Sequence, residues 1–308
     1  MDNYNQHRTD MFVPSLYLQK ETSGWGKVGL GFEAGHEQIS SSNLGRHDRQ
    51  QQSLYLDDLL TLQEFWDLSL ALRLDNFSDY QPAYTGSLAA KFRMNELAAV
   101  NLGVSRSLRI PSFTELYYSD ATTLGNDALS PERAWNYQAG FEFKGERLSA
   151  GLTFFWRREE QMIDWVRRDA SQKWQARNFT RDNVWGTECS LSQKINRCLS
   201  LDIHYTYTDK KIDEQGYLYK YGPSYARHLA GTVINFELPF GRQVIGLNYK
   251  KRPGRRGWFL LDAGLNFQLQ PNAKVFLNVT NLLNVEYQDI AGIPASGRYL
   301  ESGLRLEW

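Results

Sequence analysis

No stretch of this chain approaches the 18 consecutive apolar residues that a membrane-crossing helix needs, so a helical span is excluded. Two cysteines, Cys189 and Cys198, are too few to staple a fold and are read as unpaired thiols. Neither sign of charge is in excess, with 35 Lys plus Arg against 35 Asp plus Glu, and no field is left to draw nucleic acid. The five histidines are scattered without ligand spacing, so no metal site is expected. Neither G-x-S-x-G nor H-E-x-x-H occurs; catalysis has no candidate constellation, and neither an enzyme nor a cofactor is expected. The opening M-D-N-Y-N-Q-H-R-T-D has no apolar core or cleavage site of an export signal, which fits a chain read as a fragment.

What the chain has is alternation. From 66 to 75 it reads W-D-L-S-L-A-L-R-L-D, which puts Trp66, Leu68, Leu70, Leu72 and Leu74 on one face of a strand and Asp67, Ser69, Arg73 and Asp75 on the other. The period of two returns at Leu88, Ala90 and Phe92, at Trp135, Tyr137, Ala139, Phe141 and Phe143, at Leu152, Phe154 and Trp156, at Leu201, Ile203, Tyr205 and Tyr207, and at Phe259, Leu261, Leu265 and Phe267. Segments of about ten residues with this pattern, separated by turns, are the mark of a transmembrane β-barrel with lipid outside and a polar lumen. The 9 Trp, 17 Tyr and 16 Phe suffice for an aromatic girdle at each membrane interface.

The links alternate too. Short ones fall at 22–25, 63–65, 95–96, 145–147, 196–198, 240–242 and 271–272; longer ones fall at 37–51, 76–81, 107–131, 159–173, 210–226, 252–257 and 281–295. Periplasmic turns and extracellular loops produce that rhythm. The expected fold is all-β, an antiparallel transmembrane barrel of about 15 strands. Single-chain bacterial barrels have an even number of strands, so the expectation is an incomplete part of a larger barrel whose first strands are missing. Its first strand, carrying Pro14, and its last, 297–308, would then run in the same direction and leave the wall open.

Two glycine and charge patterns have plainer readings. Gly24, Gly26 and Gly29 match G-x-G-x-x-G, but V-G-L-G-F follows instead of a helix, so small lumen-facing residues are expected and not a nucleotide site. Lys250, Lys251, Arg252, Arg255 and Arg256 flank Pro253-Gly254 at an extracellular end, where they meet lipopolysaccharide phosphates or simply water. At the other extreme of the chain, Leu304, Leu306 and Trp308 alternate up to a terminal aromatic, a pattern similar to the carboxyl-terminal signal read by the barrel-assembly machinery.

These features resemble one family. The stretch S-R-S-L-R-I-P-S-F-T-E-L-Y-Y at 105–118, with Gly125, Asn126, Leu129, Pro131 and Glu132, is similar to the loop after a barrel strand in TonB-dependent outer-membrane receptors. Asn281-Leu-Leu-Asn284, Tyr287 and Gly297-Arg298 resemble that family's last hairpin, and M-I-D-W-V at 162–166 with Asn178 and Gly186 resembles its cobalamin and siderophore branch. The resemblance implies that 1–308 is the C-terminal part of a barrel of about 22 strands, without the plug domain or the TonB-contacting segment. It also implies the outer membrane of a Gram-negative bacterium and high-affinity uptake of a bulky ligand such as cobalamin or a ferric siderophore. A passive outer-membrane pore or an adhesin-like barrel is the alternative.

Roles follow from the two readings together. Asp67, Arg73, Asp75, Lys91, Arg93, Glu142 and Lys144 are expected to face the lumen, where they would line a pore or hydrogen-bond to a plug. Ligand capture would fall to the long loops, through Arg109, Phe113, Tyr117, Tyr118 and Asn126 in 107–131 and Trp165, Trp174 and Arg177 in 161–179. Trp165 and Trp174 could equally belong to the outer girdle.

If the alternation sets the faces, Leu70→Arg should cost about 2–4 kcal/mol near the bilayer midplane, and Ala71→Arg should cost clearly less. Folding yields in lipid decide between them; equal yields would refute this register.

Overall fold

Alternation becomes a ladder in the computed structural model, which describes residues 6–22, 26–62, 64–211, 216–221, 225–289 and 293–306, side chains at 180 and 181 excepted. In order, the elements are β1 (His7–Phe12), β2 (Ser15–Thr22), β3 (Gly26–Ser41), β4 (Gly45–Leu62), β5 (Trp66–Phe77), β6 (Ala83–Arg93), β7 (Ala98–Arg109), α1 (Phe113–Tyr117), β8 (Thr123–Leu124) and β9 (Glu132–Lys144). They continue with β10 (Leu148–Arg167), β11 (Trp174–Lys194), β12 (Leu199–Lys211), β13 (Leu218–Tyr219), β14 (His228–Leu238), β15 (Gly241–Lys251), β16 (Trp258–Gln270), β17 (Ala273–Thr280) and β18 (Tyr299–Leu306).

Every wall strand pairs antiparallel with the next. β1 and β2 are one strand interrupted at Pro14, since both pair with β3 in a single continuous register from His7↔Ser41 to Thr22↔Gly26. With β8 and β13 set aside as two-residue loop strands, the eighteen strands give a wall of fifteen among the described residues. No described pairing joins β18 to β1 or β2, so the wall is open there, as its sequence leads one to expect. Pro14, which has no N–H to give, stands on an edge strand, the place where a sheet tolerates it. Both cysteines are free thiols.

The faces fall as the period of two requires. Leu72 and Leu74 are each 52% exposed on the outward face, and Asp75 between their neighbours on the inward face is 5% exposed. Inward charges find each other across and along strands: Arg73 bridges Glu33 (2.6 Å) and Asp75 (2.8 Å), Arg93 pairs with Asp67, and Glu142 accepts from Lys91 (2.9 Å), with Lys144 at 3.6 Å. All seven residues expected in the lumen therefore belong to ion pairs on the polar face. Close approach needs glycine here: a Cβ on Gly31 would lie 2.0 Å from the Tyr55 ring and one on Gly29 2.1 Å from the Tyr17 hydroxyl, and those two rings stack at 6.1 Å.

Three departures from the sequence reading have physical causes. Residues 37–51 form no loop but the tip of a long hairpin, with Glu37↔Arg49 and Gln38↔Asp48 in register and only 42–44 turning. Residues 159–167 likewise continue β10, leaving 168–173 as the link. Beyond the bilayer both faces of a hairpin meet water, so the apolar alternation disappears although the backbone ladder persists. The third departure is Asp58, which lies directly opposite Leu70 and Val28 on the outward face with its Oδ1 buried and unpartnered among the described residues.

Asp58 changes how position 70 responds. An arginine at 70 would face a carboxylate across the strand pair, whereas one at 72 would face Leu56 and Gly86. Leu72→Arg should therefore destabilise more than Leu70→Arg by about 1 kcal/mol, the upper worth of a cross-strand charge pair. Urea unfolding in lipid vesicles measures both, and adding Asp58→Ala should erase the difference.

Candidate functional site

The loop after β7 is built on local signals. Ser112 caps α1: its Oγ accepts from the Glu115 N–H (3.3 Å), and the Glu115 carboxylate accepts from the Ser112 N–H (2.8 Å). Arg109, the last residue of β7, donates to Glu132 at the start of β9 (2.7 Å) and to Glu115 (2.9 Å), so one guanidinium clamps both ends of the loop. Burial alone would raise the Glu115 pKa, but the bonds from Arg109 and Ser112 outweigh it and hold the carboxyl below its ordinary range. Further on, Asp120 accepts from the N–H groups of Thr122 (2.7 Å) and Thr123 (2.6 Å) and from the Tyr118 hydroxyl (3.0 Å). The backbone bond from Thr122 is the largest of the effects that lower its pKa to about 2. That turn delivers Thr123 and Leu124 to Trp174 and Gln175 as a short parallel pair, β8 on β11.

Tertiary packing then joins three distant hairpins. Phe113, Leu116 and Leu129 from the loop pack with Ile39 and Leu44 from the β3–β4 tip and with Ile163, Trp165 and Ala176 from the β10–β11 tip; Tyr117, Tyr118 and Trp174 cover the cluster. His47 stacks flat on Tyr117 at 3.6 Å. Arg49, 8% exposed, pairs with Asp79 (2.8 Å), donates to the Pro111 carbonyl (3.1 Å) and lies over the rings of Phe113 and Tyr80. Burial, the largest effect on Tyr80, pushes its phenol up to about 12. Gln161, at φ 59°, accepts at its carbonyl from Asn178 and marks the bend beyond which the β10–β11 tip joins this cap.

The residues expected to capture ligand divide into two groups. Phe113 (5% exposed) and Trp165 (7%) are interior to the cap, with Tyr117, Tyr118 and Trp174 packed on them. Asn126 donates to the Ala176 carbonyl (3.2 Å) and Arg109 is held in its clamp. Arg177 alone of the set is exposed with neutral partners, the Gln175 Oε1 (2.9 Å) and the Tyr217 hydroxyl (2.8 Å).

Around Arg177 lies a group that sequence reading missed. Arg168 and Arg177 both sit over the Tyr217 ring, Lys220 lies between the rings of Trp165 and Tyr221, and Arg167 covers Trp174. Arg168 is the largest influence drawing the Tyr217 phenol below its ordinary pKa, with burial opposing and the charge of Arg177 adding. No described carboxylate lies within ion-pair distance of Arg168, Arg177 or Lys220. Of the nearby acids, Asp169 is engaged with Ser171 and Asp120 with its threonines, while Asp164 lies directly opposite Arg177 in the β10–β11 register and accepts from the Trp165 N–H (2.6 Å). The result is a cationic, aromatic patch on a rigid cap, suited to a large anion with flat apolar parts. Its one signal in the sequence was the interleaving of Arg, Lys, Tyr and Trp over 165–177 and 217–221.

The basic link at 250–256 is different. Lys250 (2.5 Å) and Arg252 (3.7 Å) both reach Asp289, which ties the β15–β16 link to the following loop around a cleft of about 740 Å³. Among the described residues no cluster of His, Cys, Asp and Glu could hold a metal ion. Leu304 and Leu306 lie outward on β18, opposite Val275 and Ala273, while Trp308 lies outside the described residues.

Comparison with known proteins gives a consistent neighbourhood. A family profile described as "TonB dependent receptor-like, beta-barrel" matches residues 2–282. The ferric enterobactin receptor PirA of Pseudomonas aeruginosa is 29% identical over 123 residues, which cover 33% of this chain and 16% of that protein. Heme transporter BhuA of Brucella ovis is 29% identical over 160 residues, or 44% and 23% of the two chains. Among solved structures, the siderophore receptor PirA from Pseudomonas aeruginosa superposes with a TM-score of 0.79 at 19% identity, covering 98% of this chain and 55% of that one. The ferric enterobactin receptor PfeA gives 0.80 at 17%, covering 98% and 54%. The chain thus spans little more than half the length of these solved receptors.

The Asp120 turn yields a pH test. A carboxyl held at about 2 favours the folded loop at all pH above its ordinary 3.8, and that contribution is lost as pH falls through 2. The amide proton shifts of Thr122 and Thr123 should titrate with a midpoint of about 2 and lose this step in Asp120→Asn. A midpoint near 3.8 would mean that the turn does not hold the carboxylate.

Proposed function

The chain belongs to the TonB-dependent receptor-like β-barrel family, and on that premise we propose that it is the C-terminal barrel portion of an outer-membrane receptor that imports a bulky, anionic iron complex into a Gram-negative bacterium. The observation that carries the ligand class is the cationic group on the cap, Arg168 and Arg177 over Tyr217 and Lys220 beside Trp165 and Tyr221. Relatives named for ferric enterobactin, siderophores and heme support it, and they are receptors and transporters rather than enzymes. A ferric catecholate complex presents negative charge and flat rings together, which guanidinium, ammonium and phenol groups bind by charge-assisted hydrogen bonds and stacking. Cobalamin offers far less negative charge and fits this patch less well.

The partner assignments follow from the family. A plug domain would lie against the polar face, whose paired Asp67, Arg73, Asp75, Lys91, Arg93, Glu142 and Lys144 offer both signs of charge to its surface. TonB would act through that plug, and the barrel-assembly machinery would read the alternation ending at Leu304, Leu306 and Trp308.

Arg168→Ala together with Arg177→Ala in the full-length receptor should weaken ferric enterobactin binding by about 3 kcal/mol, two charge-assisted bonds at the low end of their usual worth. Equilibrium titration measures it, with heme as a second probe. Unchanged affinity for both, in a barrel that folds normally, would place capture elsewhere.

A further inference from the structure

Tyr217 differs from Tyr118 and Tyr17 in what its oxygen does. Tyr118 donates to the Asp120 carboxylate (3.0 Å) and Tyr17 to Asp57 (3.0 Å), so both keep their protons in a hydrogen bond to an anion. The Tyr217 oxygen instead accepts, from Nη1 of Arg177 at 2.8 Å. Gln175 aims that guanidinium: its Oε1 takes the Nε (3.1 Å) and Nη2 (2.9 Å) hydrogens and leaves Nη1 for the phenol. Arg168 lies over the same ring, 5.1 Å from its centre. Guanidinium groups placed in this way favour the deprotonated phenol, in agreement with a Tyr217 pKa drawn below its ordinary value chiefly by a hydrogen bond from Arg168.

The backbone fixes where this oxygen stands. β13 begins at the next residue and pairs with β10, Leu218 with Arg167 and Tyr219 with Val166, and the Lys220 N–H donates to the Trp165 carbonyl (2.8 Å). Phe179, buried in the cap, meets the Tyr217 ring edge-on at 6.3 Å. Leu218 and Tyr221 are 49% and 63% exposed, an apolar surface beside Lys220.

A phenolate oxygen is a hard anionic donor, matched to ferric iron. One such oxygen cannot hold a bare ion, and the described residues offer no cluster of His, Cys, Asp and Glu to complete a set. The iron must therefore arrive already chelated, with a position open. A siderophore that fills every position of the metal leaves no place for a protein oxygen, whereas a ferric porphyrin holds iron by its ring nitrogens and leaves the axial places free.

We propose that Tyr217 is an axial ligand for a ferric porphyrin held on this patch. The porphyrin carboxylates pair with Arg168 and Lys220, and the macrocycle covers Leu218 and Tyr221. The iron–oxygen bond forms as the hydroxide carried by the ferric porphyrin leaves, taking the phenol proton to become water; iron stays ferric, and no oxidant or reductant is required. Arg177 keeps its hydrogen bond to the phenolate and so sets the direction and strength of the donor. The assignment rests on the reading of the cap as the capture site for an anionic iron complex.

The experiment titrates the full-length receptor in detergent with hemin and, separately, with metal-free protoporphyrin IX, which has the same ring and carboxylates but no iron. Resonance Raman spectra of the hemin complex should show phenolate modes that shift when the protein is made with ring-deuterated tyrosine and vanish in Tyr217→Phe. That substitution should weaken hemin binding at least about tenfold more than it weakens the metal-free ring, the loss expected when a group around a metal is removed. Hemin bound without phenolate modes, or equal losses for both porphyrins, would overturn the assignment. The spectrum of the unsubstituted protein decides by itself should Tyr217→Phe fail to fold. Ferric enterobactin titrated in parallel separates the two readings. If it binds and hemin shows no phenolate modes, the axial assignment alone falls; if neither binds, the capture site is wrong and the assignment falls with it.

Discussion

Hydrocarbon offers a backbone nothing to hydrogen-bond with, and this molecule's form follows from that. Each N–H and C=O in the membrane zone must be answered by a neighbouring strand, because an unanswered one costs several kcal/mol. The register therefore runs without a slip through nearly every described pair from β1 to β18; a shift between Gln268 and Gln270 sits at the end of a hairpin. A fixed register fixes the faces, and the faces fix which side chains can meet. The Arg73 bridges to Glu33 and Asp75 are a consequence of that one requirement. The two open edges, at β1 with β2 and at β18, are where the requirement is unmet within the described residues, and their residues are almost all exposed.

The inward and outward faces answer polarity in different ways. Inward, charges are paired along the wall at 2.6–2.9 Å, with Ser53 and Gln51 completing the shell of Asp75. Partly hydrated pairs of this kind add little stability; their effect is a surface polar in both signs, which another polar body can meet without a net field against it. Outward, apolar side chains are required, and Asp58 is an exception, an acid opposite leucine with one oxygen unanswered among the described residues. The structure gives no account of why an acid stands there.

Much of this was legible in the sequence because the membrane imposes a short period. Residues 66–75 declare a strand, its partner-facing pattern and both its faces, and Trp66 meets Phe92 across the hairpin as that pattern requires. Where the bilayer ends, so does the signal: the tip of β3 and β4 is as regular a ladder as any, but both its faces are wet, so its composition reads as loop. The cap was half legible. That 107–131 holds an organised loop followed from its aromatic and arginine content, but that Phe113 and Trp165 lie inside a core depends on Ile39 and Ile163, more than a hundred residues apart, meeting across three hairpins. Arg49 was invisible for the same reason, as one cation in a polar run whose partners Asp79, Pro111 and Phe113 come from two other links.

The cap explains why a charged patch can survive on it. Guanidinium groups on a floppy loop would seek carboxylates. Most of those in the segment are already committed: Glu115 and Glu132 to the Arg109 clamp, Asp120 to the Thr122 turn, Asp164 to the Trp165 N–H, Asp169 to Ser171. Because the buried cluster fixes these positions, Arg168 and Arg177 are left with a phenol and an amide oxygen, which are weaker acceptors than an anion. The packing of apolar side chains thus holds these acids and bases in their places, and the patch remains cationic because the core beneath it does not let it collapse. The anionic ligand proposed for this patch would meet donors that are already oriented, so less of its binding energy would go into ordering the loop.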